Sequence, residues 1–197
     1  MKLKNNNFYI IRHGQTAYQT VKKNFVYPWE GSVNTAGITE IGKQSIRKVI
    51  PKIKKLSIDI LYASDFKRTR ETAEMIAREI ELKKENFVLT SRLRDVNLGK
   101  YHGGRKKDFY NDFPDFLNDF NQKPEDGESL SSARDRIVAF INEIDGFYKN
   151  KNILIVSHGE PLWLLEGALK GIRESDSMDK NKNKINYIQP GELRKLN

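Results

Sequence analysis

Ile10-Ile11-Arg12-His13-Gly14-Gln15-Thr16 runs from an apolar, branched stretch straight into an arginine, a histidine and a glycine turn. Short continuous apolar runs rich in β-branched residues read as buried strands, so residues 8–11 form a strand that ends on two polar side chains. The arrangement recurs in Ile153-Leu154-Ile155-Val156-Ser157-His158-Gly159, so two of the 3 histidines take the same place on different strands. Open α/β sheets build their sites beyond the carboxyl ends of their strands, and both motifs lie at such an end. Either motif alone is common by chance; their joint occurrence carries the argument.

Working outward, residues 58–63 read as a third buried strand, and residues 87–89 and 185–188 as weaker ones. Their apolarity is continuous rather than alternating, which suits a parallel sheet covered on both faces. Helical spacing appears in Ile41, Ile46, Val49, Ile50, Ile53, then in Phe66, Thr69, Ala73, Ile76, Ala77, Ile80, and again in Leu130, Ala133, Ile137, Phe140, Ile141, Ile144. Strands alternating with helices predict an α/β fold, a three-layer α/β/α sandwich with a mostly parallel central sheet. Thr39 and the pair Ser64-Asp65 are expected to cap the first two helices through their side-chain oxygens.

Residues 100–127 mix glycines, charges and aromatics, and are expected to form a cap inserted over the site; the polar run 173–184 reads as a surface loop. Residues 1–197 are expected to form a single domain, since a chain of this length can bury one substantial core. Tyr101, Phe109, Tyr110, Phe113, Phe116 and Phe120 could line an apolar or base-stacking cap. Phe109, Phe113, Phe116 and Phe120 also have helical core spacing, which is the stronger of the two explanations.

The chain has no cysteine, which excludes disulfides, thiolate metal ligands and a cysteine nucleophile. Its opening apolar run is too short for a signal-peptide core or a membrane span, so a soluble cytoplasmic protein without membrane partners is expected. A net charge of +9 favours anionic partners. A small phosphorylated substrate is preferred over nucleic acid, and a merely solubilising lysine-rich surface is the plainest explanation of the charge.

A third motif, Tyr62-Ala63-Ser64-Asp65-Phe66-Lys67-Arg68-Thr69-Arg70-Glu71-Thr72-Ala73, is a strand end followed by a helix whose first turn presents Arg68. Two arginines, two histidines and the N–H groups of glycine turns are what a tetrahedral phosphoryl group asks for. The guanidinium forks bind and neutralise, and one imidazole can act as nucleophile. Such a site calls for neither a metal nor a cofactor.

Arg12-His13-Gly14-x-Thr16, Ser64-Asp65-Phe66-x-Arg68-x-x-x-Thr72-Ala73, Leu93-Arg94-Asp95, Gly127-Glu128-Ser129 and Ser157-His158-Gly159 together resemble the histidine phosphatase superfamily, the phosphoglycerate mutase-like fold, in order and approximate spacing. The resemblance implies His13 as nucleophile, Arg12, Arg68 and His158 on the phosphoryl oxygens, and Asp95 as proton donor. Thr16, Gln19 and Gly159 are further expected phosphate contacts. The implied reaction is phosphomonoester hydrolysis through a phosphohistidine on His13.

Where the family usually carries glutamate, this chain has Asp95, a side chain one methylene or ~1.5 Å shorter. Asp95 could instead simply cap a turn, and Asp108 is a weaker substitute as donor. Gln19 stands where the family often has asparagine; Gln15 replaces a common glutamate and is expected to support the turn by hydrogen bonding. His102, in Gly99-Lys100-Tyr101-His102-Gly103-Gly104, is expected to be structural or cap-lining.

Cofactor-dependent phosphoglycerate mutases share the histidine motifs but have a longer chain and a lid with an arginine pair, for which no counterpart is visible, so hydrolysis is expected over phosphotransfer. Residues 157–167 and 187–193 also resemble phosphatase-type modules joined to bacterial isoleucyl-tRNA synthetases. That resemblance implies a second class of function, a weakly catalytic module that recognises phosphate or a tRNA-linked ligand.

Overall fold

The computed structural model describes residues 1–29, 36–172 and 187–197. Five strands among them form one sheet: β1 (Asn7–Arg12), β2 (Ile60–Ser64), β3 (Phe87–Thr90), β4 (Asn152–Ser157) and β5 (Leu193–Lys195). The spatial order is β3-β2-β4-β1-β5. All neighbours pair in parallel except β5, which runs antiparallel to β1 at the edge. The helices are α1 (Glu40–Lys54), α2 (Lys67–Glu79), α3 (Lys106–Asp112), α4 (Leu130–Phe147) and α5 (Gly159–Leu169).

Strand side chains alternate between faces, and both faces of this sheet are covered. Phe8, Ile10, Ile153 and Ile155 pack against Ile137, Ile141 and Ile144 of α4 and Leu162 and Leu165 of α5. Tyr9, Ile11, Leu154 and Val156 pack against Ile46, Ile50 and Ile53 of α1 and Ala73 and Ile76 of α2. The result is the expected three-layer arrangement, with continuous apolar strands because neither face meets water. A third apolar cluster joins Phe109, Phe116 and Phe120 to Leu130 and Ala133 of α4 and Trp163 and Leu164 of α5. Phe109, Phe116 and Phe120 are thus buried as expected, but the helical spacing is not realised: α3 ends at Asp112, Phe116 and Phe120 come from turns, and Tyr110 is exposed.

Thr39 caps α1 through its hydroxyl, which accepts from the Gly42 N–H at 3.1 Å. The expected Ser64-Asp65 cap of α2 is not formed, and Phe66 occupies the cap position without a side-chain bond. Both oxygens of Asp65 are instead taken by the Arg94 fork at 2.7 Å each, and Ser64 turns to His158. The weak strand expected at 185–188 also gives way: Tyr187 and Ile188 lie outside any strand, and Ile185 lies outside the described residues. The Ile188 carbonyl accepts from the Arg12 guanidinium instead of joining a ladder, and the edge strand is β5. Helix α5 carries little periodic signal because it is buried almost all round. Pro161 sits in its first turn, where no N–H is needed. The polar run 173–184 lies outside the described residues.

Candidate active site

Strands β1 and β4 are neighbours with Arg12 opposite Ser157, so the next residue of each, His13 and His158, leaves the sheet at the same level. The His13 N–H donates to the Ser157 carbonyl at 3.1 Å, tying the two strand ends together. The imidazole centroids lie 5.4 Å apart, and the residues are 1% and 0% exposed.

The two rings are held by opposite edges. His13 Nδ1 is 2.8 Å from the Gly14 carbonyl oxygen, which can only accept, so Nδ1 carries the proton and Nε2 keeps its lone pair. His158 is held through Nε2, 2.9 Å from Ser64 Oγ, leaving Nδ1 inward. Burial first, and then the charges of Arg68 and Arg12, hold His13 well below the ordinary histidine range. Burial, then Arg68, His13, Arg12 and Arg136, do the same to His158. Both rings are therefore neutral at physiological pH.

Arg68, 1% exposed, comes from the first turn of α2 and donates through Nη2 to Asp95 Oδ2 at 2.9 Å. Its guanidinium lies 4.1 Å from the centroid of Tyr27, whose hydroxyl meets Thr16 Oγ1 at 2.6 Å. Arg12 spends Nη1 on the Ile188 carbonyl at 3.0 Å. Four buried nitrogens of the cluster have no hydrogen-bond partner: Arg12 Nε, Arg68 Nε, Gln19 Nε2 and His158 Nδ1. Unpartnered buried polar atoms are costly and uncommon. Three of these four belong to residues that line one cavity, Arg12, Arg68 and Gln19, whereas His13 and His158 lie behind its lining, and an acceptor with several oxygens would satisfy them.

Asp95 is positioned by long-range contacts. Arg136 of α4 donates to the carbonyls of Arg92 and Arg94 at 2.9 and 3.0 Å and is paired with Glu128 at 2.6 Å. Ser157 Oγ holds the Leu93 carbonyl at 2.8 Å, and Glu128 Oε1 accepts from the Asn97 N–H at 3.0 Å. The Gly127-Glu128-Ser129 motif thus serves to clamp the loop that carries Asp95. The Asp95 side chain is 17% exposed and lies 3.6 Å from His158 Nδ1. Burial and then the charge of Glu160 push its carboxyl up to about 7, against the opposing pull of Arg68 and Arg12.

A cavity of about 170 Å³ opens above this cluster. Arg12, Gln19, Arg68, Asp95 and Glu160 line it together with aromatic rings from Tyr18, Tyr27, Trp29, Phe66, Phe109 and Tyr110. Tyr27 and Phe66 also touch the two imidazoles, with centroids 6.2 Å from His13 and 5.4 Å from His158.

The remaining expected residues divide. Gln19 lines the cavity; its amide nitrogen is buried without a partner, and its oxygen accepts the Thr16 N–H at 2.7 Å. Thr16 is fully buried as the cap of a short 3-10 turn, Ala17–Gln19, and does not line the cavity. Gly159 opens α5, and a side chain there would collide with the Tyr187 hydroxyl. Gln15 supports the start of α1, accepting from the Thr39 hydroxyl at 3.2 Å. His102 is held on both sides, by Leu98 N–H at 2.9 Å and the Tyr27 carbonyl at 2.9 Å, and also lines the cavity. Asp108 is exposed on α3 and does not line the cavity. Tyr27 and Trp29 carry no motif, and Glu160 and Tyr187 fall in the stretches 157–167 and 187–193 noted only for a resemblance, so sequence reasoning assigns none of the four a role in the site.

A family model described as the histidine phosphatase superfamily, branch 1, matches residues 8–184. The chain belongs to that superfamily. Among histidine phosphatase relatives, the probable phosphoglycerate mutase GpmB of Erwinia tasmaniensis is 31% identical over 170 residues, covering 83% of this chain and 74% of the relative. Phosphoserine phosphatase 1 of Hydrogenobacter thermophilus is 24% identical over 168 residues, covering 83% and 75%. In fold, the mycobacterial glucosyl-3-phosphoglycerate phosphatase superposes with a TM-score of 0.76 at 18% identity, covering 96% of this chain and 88% of that one. YhfR of Bacillus stearothermophilus also gives 0.76, at 22% identity, covering 95% and 89%. Members of this superfamily with both phosphatase and mutase names are thus similar to this chain. Among the described residues, no helix is long and apolar enough to cross a membrane.

Proposed function

We propose that this protein hydrolyses phosphomonoesters without a metal, through a phosphohistidine on His13 Nε2 with Asp95 as proton donor. The observation that carries the proposal is the orientation of His13: the Gly14 carbonyl fixes the proton on Nδ1 and leaves Nε2 as a lone pair beside unpartnered cationic donors.

In the first step Nε2 attacks phosphorus, the P–N bond forms, and the ester P–O bond breaks as Asp95 gives its proton to the leaving oxygen. The ring becomes an imidazolium whose Nδ1–H remains on the Gly14 carbonyl. In the second step water attacks phosphorus, Asp95 takes a proton from it, and the P–N bond breaks to restore neutral His13. Arg12, Arg68, Gln19 and His158 Nδ1 hold the phosphoryl oxygens throughout, with the guanidiniums supplying the positive charge the transition state needs. His158 serves this role when its Nε2 accepts a hydrogen bond from the Ser64 hydroxyl, which puts the ring's own proton on Nδ1. Low exposure of His13 keeps bulk water from the imidazole before substrate arrives.

Hydrolysis is favoured over mutase-type transfer by the cavity lining. Among the described residues, aromatic rings outnumber the cations there, which are Arg12, Arg68 and Lys106. That lining fits a leaving group with one apolar or aromatic face better than a second phosphate.

The test is phosphate release from phenyl phosphate between pH 5 and 9, with chelator present, for wild type, His13→Ala and Asp95→Asn. Protonated Asp95 is required for the first step and its carboxyl sits near 7, so kcat/KM should be flat in mild acid and fall as pH rises through about 7. His13 titrates well below its ordinary range, so no loss from its protonation is expected near pH 6. Chelator-sensitive release, or release that survives His13→Ala, would contradict the proposal.

A further inference from the structure

The mechanism above uses one carboxylate, but the cavity has two. Glu160 lies in the first turn of α5, directly after His158-Gly159, and lines the same cavity as Asp95. Its side chain accepts a hydrogen bond from the Tyr187 hydroxyl. Tyr187 is in turn fixed from two sides: its ring lies 5.2 Å from the Arg12 guanidinium carbon, and its hydroxyl fills the space that only a glycine at 159 leaves open. The start of a helix favours a negative charge, so this is a good place for an ionised side chain.

We propose that Glu160 is a positioning residue of the reaction, a second carboxylate that acts through Asp95 and keeps Asp95 the proton-bearing member of the pair. The proposal rests on the hydrolytic mechanism given above.

The surroundings of Asp95 explain why such a residue is needed. From α2, Arg68 Nη2 stands 2.9 Å from Oδ2; from β1, Arg12 adds a second positive charge. From α4, Arg136 Nη2 lies 3.4 Å from the Asp95 carbonyl, and the backbone N–H of Val96 donates to Oδ1 at 3.1 Å. His158 Nδ1 lies 3.6 Å away and belongs to a neutral ring. The phenols of Tyr27 and Tyr187 feel the Asp95 charge but remain protonated, each pushed upward by burial.

The guanidiniums and the Val96 N–H all favour the ionised carboxylate, and an ionised Asp95 paired with Arg68 has no proton to give. Burial and Glu160 oppose them, and of the charged neighbours Glu160 is the one that acts in this direction most strongly. Two carboxylates that line one cavity repel when both are ionised, so a negative charge on Glu160 favours the proton on Asp95.

The experiment compares kcat/KM from pH 5 to 9 for wild type, Glu160→Gln and Glu160→Asp, with phenyl phosphate and p-nitrophenyl phosphate. Glutamine keeps an acceptor for Tyr187 and removes the charge. The expected result is an alkaline limb moved about one pH unit toward acid in E160Q. For phenyl phosphate the deficit should grow with pH to about tenfold above neutrality. It should be smaller for p-nitrophenyl phosphate, whose leaving group needs little protonation, and Glu160→Asp should return the limb most of the way. Thermal melting of each variant checks the fold.

A limb that stays at the wild-type pH, with a loss uniform across pH and across the two leaving groups, would overturn this role for Glu160 alone. Wild-type turnover in His13→Ala or Asp95→Asn would overturn the hydrolytic mechanism, and the role of Glu160 with it.

Discussion

Two strand ends of this molecule look alike in sequence and are put to different uses. β1 and β4 lie side by side in parallel, and each ends in His-Gly one residue beyond the ladder. At the end of β1 the ring is tethered through Nδ1 to its own turn; at the end of β4 it is tethered through Nε2 to Ser64 of β2. The first tether leaves a lone pair on Nε2, whereas the second leaves Nδ1 unpartnered beside Asp95. In the mechanism proposed above, a histidine serves as nucleophile or phosphate donor according to which nitrogen the fold occupies, and the strand motif alone does not decide this.

Substitutions can break that contrast. His13→Ala removes the nucleophile and should lower kcat for phenyl phosphate on the order of 10⁴-fold or more. His158→Ala removes one donor to the phosphoryl group and should cost about 10²- to 10³-fold, measured in the same assay. Ser64→Ala keeps both imidazoles but frees Nε2 of His158, so the ring can turn; losing one hydrogen bond predicts a drop of about tenfold in kcat/KM, with His13 still phosphorylated.

A separate effect is on stability and concerns Asp95, whose carboxyl lies 3.6 Å from the second imidazole. Its carboxyl titrates near 7 when folded, against 3.8 for an ordinary aspartate, so the folded state binds more protons between those limits. Stability from this group is therefore full below about pH 4 and is lost as pH rises toward 7. Asp95→Asn does not titrate, so its melting temperature should rise relative to wild type from pH 4 to 7 and then level off. The shift should be on the order of ten degrees. A gap that stays constant across this range would show that Asp95 is not held in its acid form.

The sheet was legible because its strands are local signals: residues 8–11 and 153–157 are continuously apolar, and their polar ends mark where the chain leaves the sheet. His13, Arg12, Arg68 and His158 could be placed together for the same reason, each lying at or just past a strand end. Asp95 entered only through resemblance, because Arg136, Glu128 and Ser157, which fix its loop, arrive from distant parts of the chain. Glu160 stood in plain view after His158-Gly159, but a helix buried almost all round gave no face to read, and Tyr187 comes from beyond it. Tyr27 is a ring in an irregular segment whose stacking on Tyr18 and contact with Arg68 leave no periodic trace. The strand expectation fails at Tyr187 and Ile188 for a similar cause: Ile188 is apolar because its side chain is buried, while its carbonyl serves Arg12.

The most direct test is to mix wild-type enzyme with excess phenyl phosphate, quench it in alkali within a turnover, and locate the bound phosphate by peptide mass spectrometry and phosphorus NMR. The account predicts one phosphoryl group on Nε2 of His13, stable in alkali, lost in acid and absent from His13→Ala. Phosphate on His158, on Nδ1 of His13, or on no residue while turnover proceeds would contradict it.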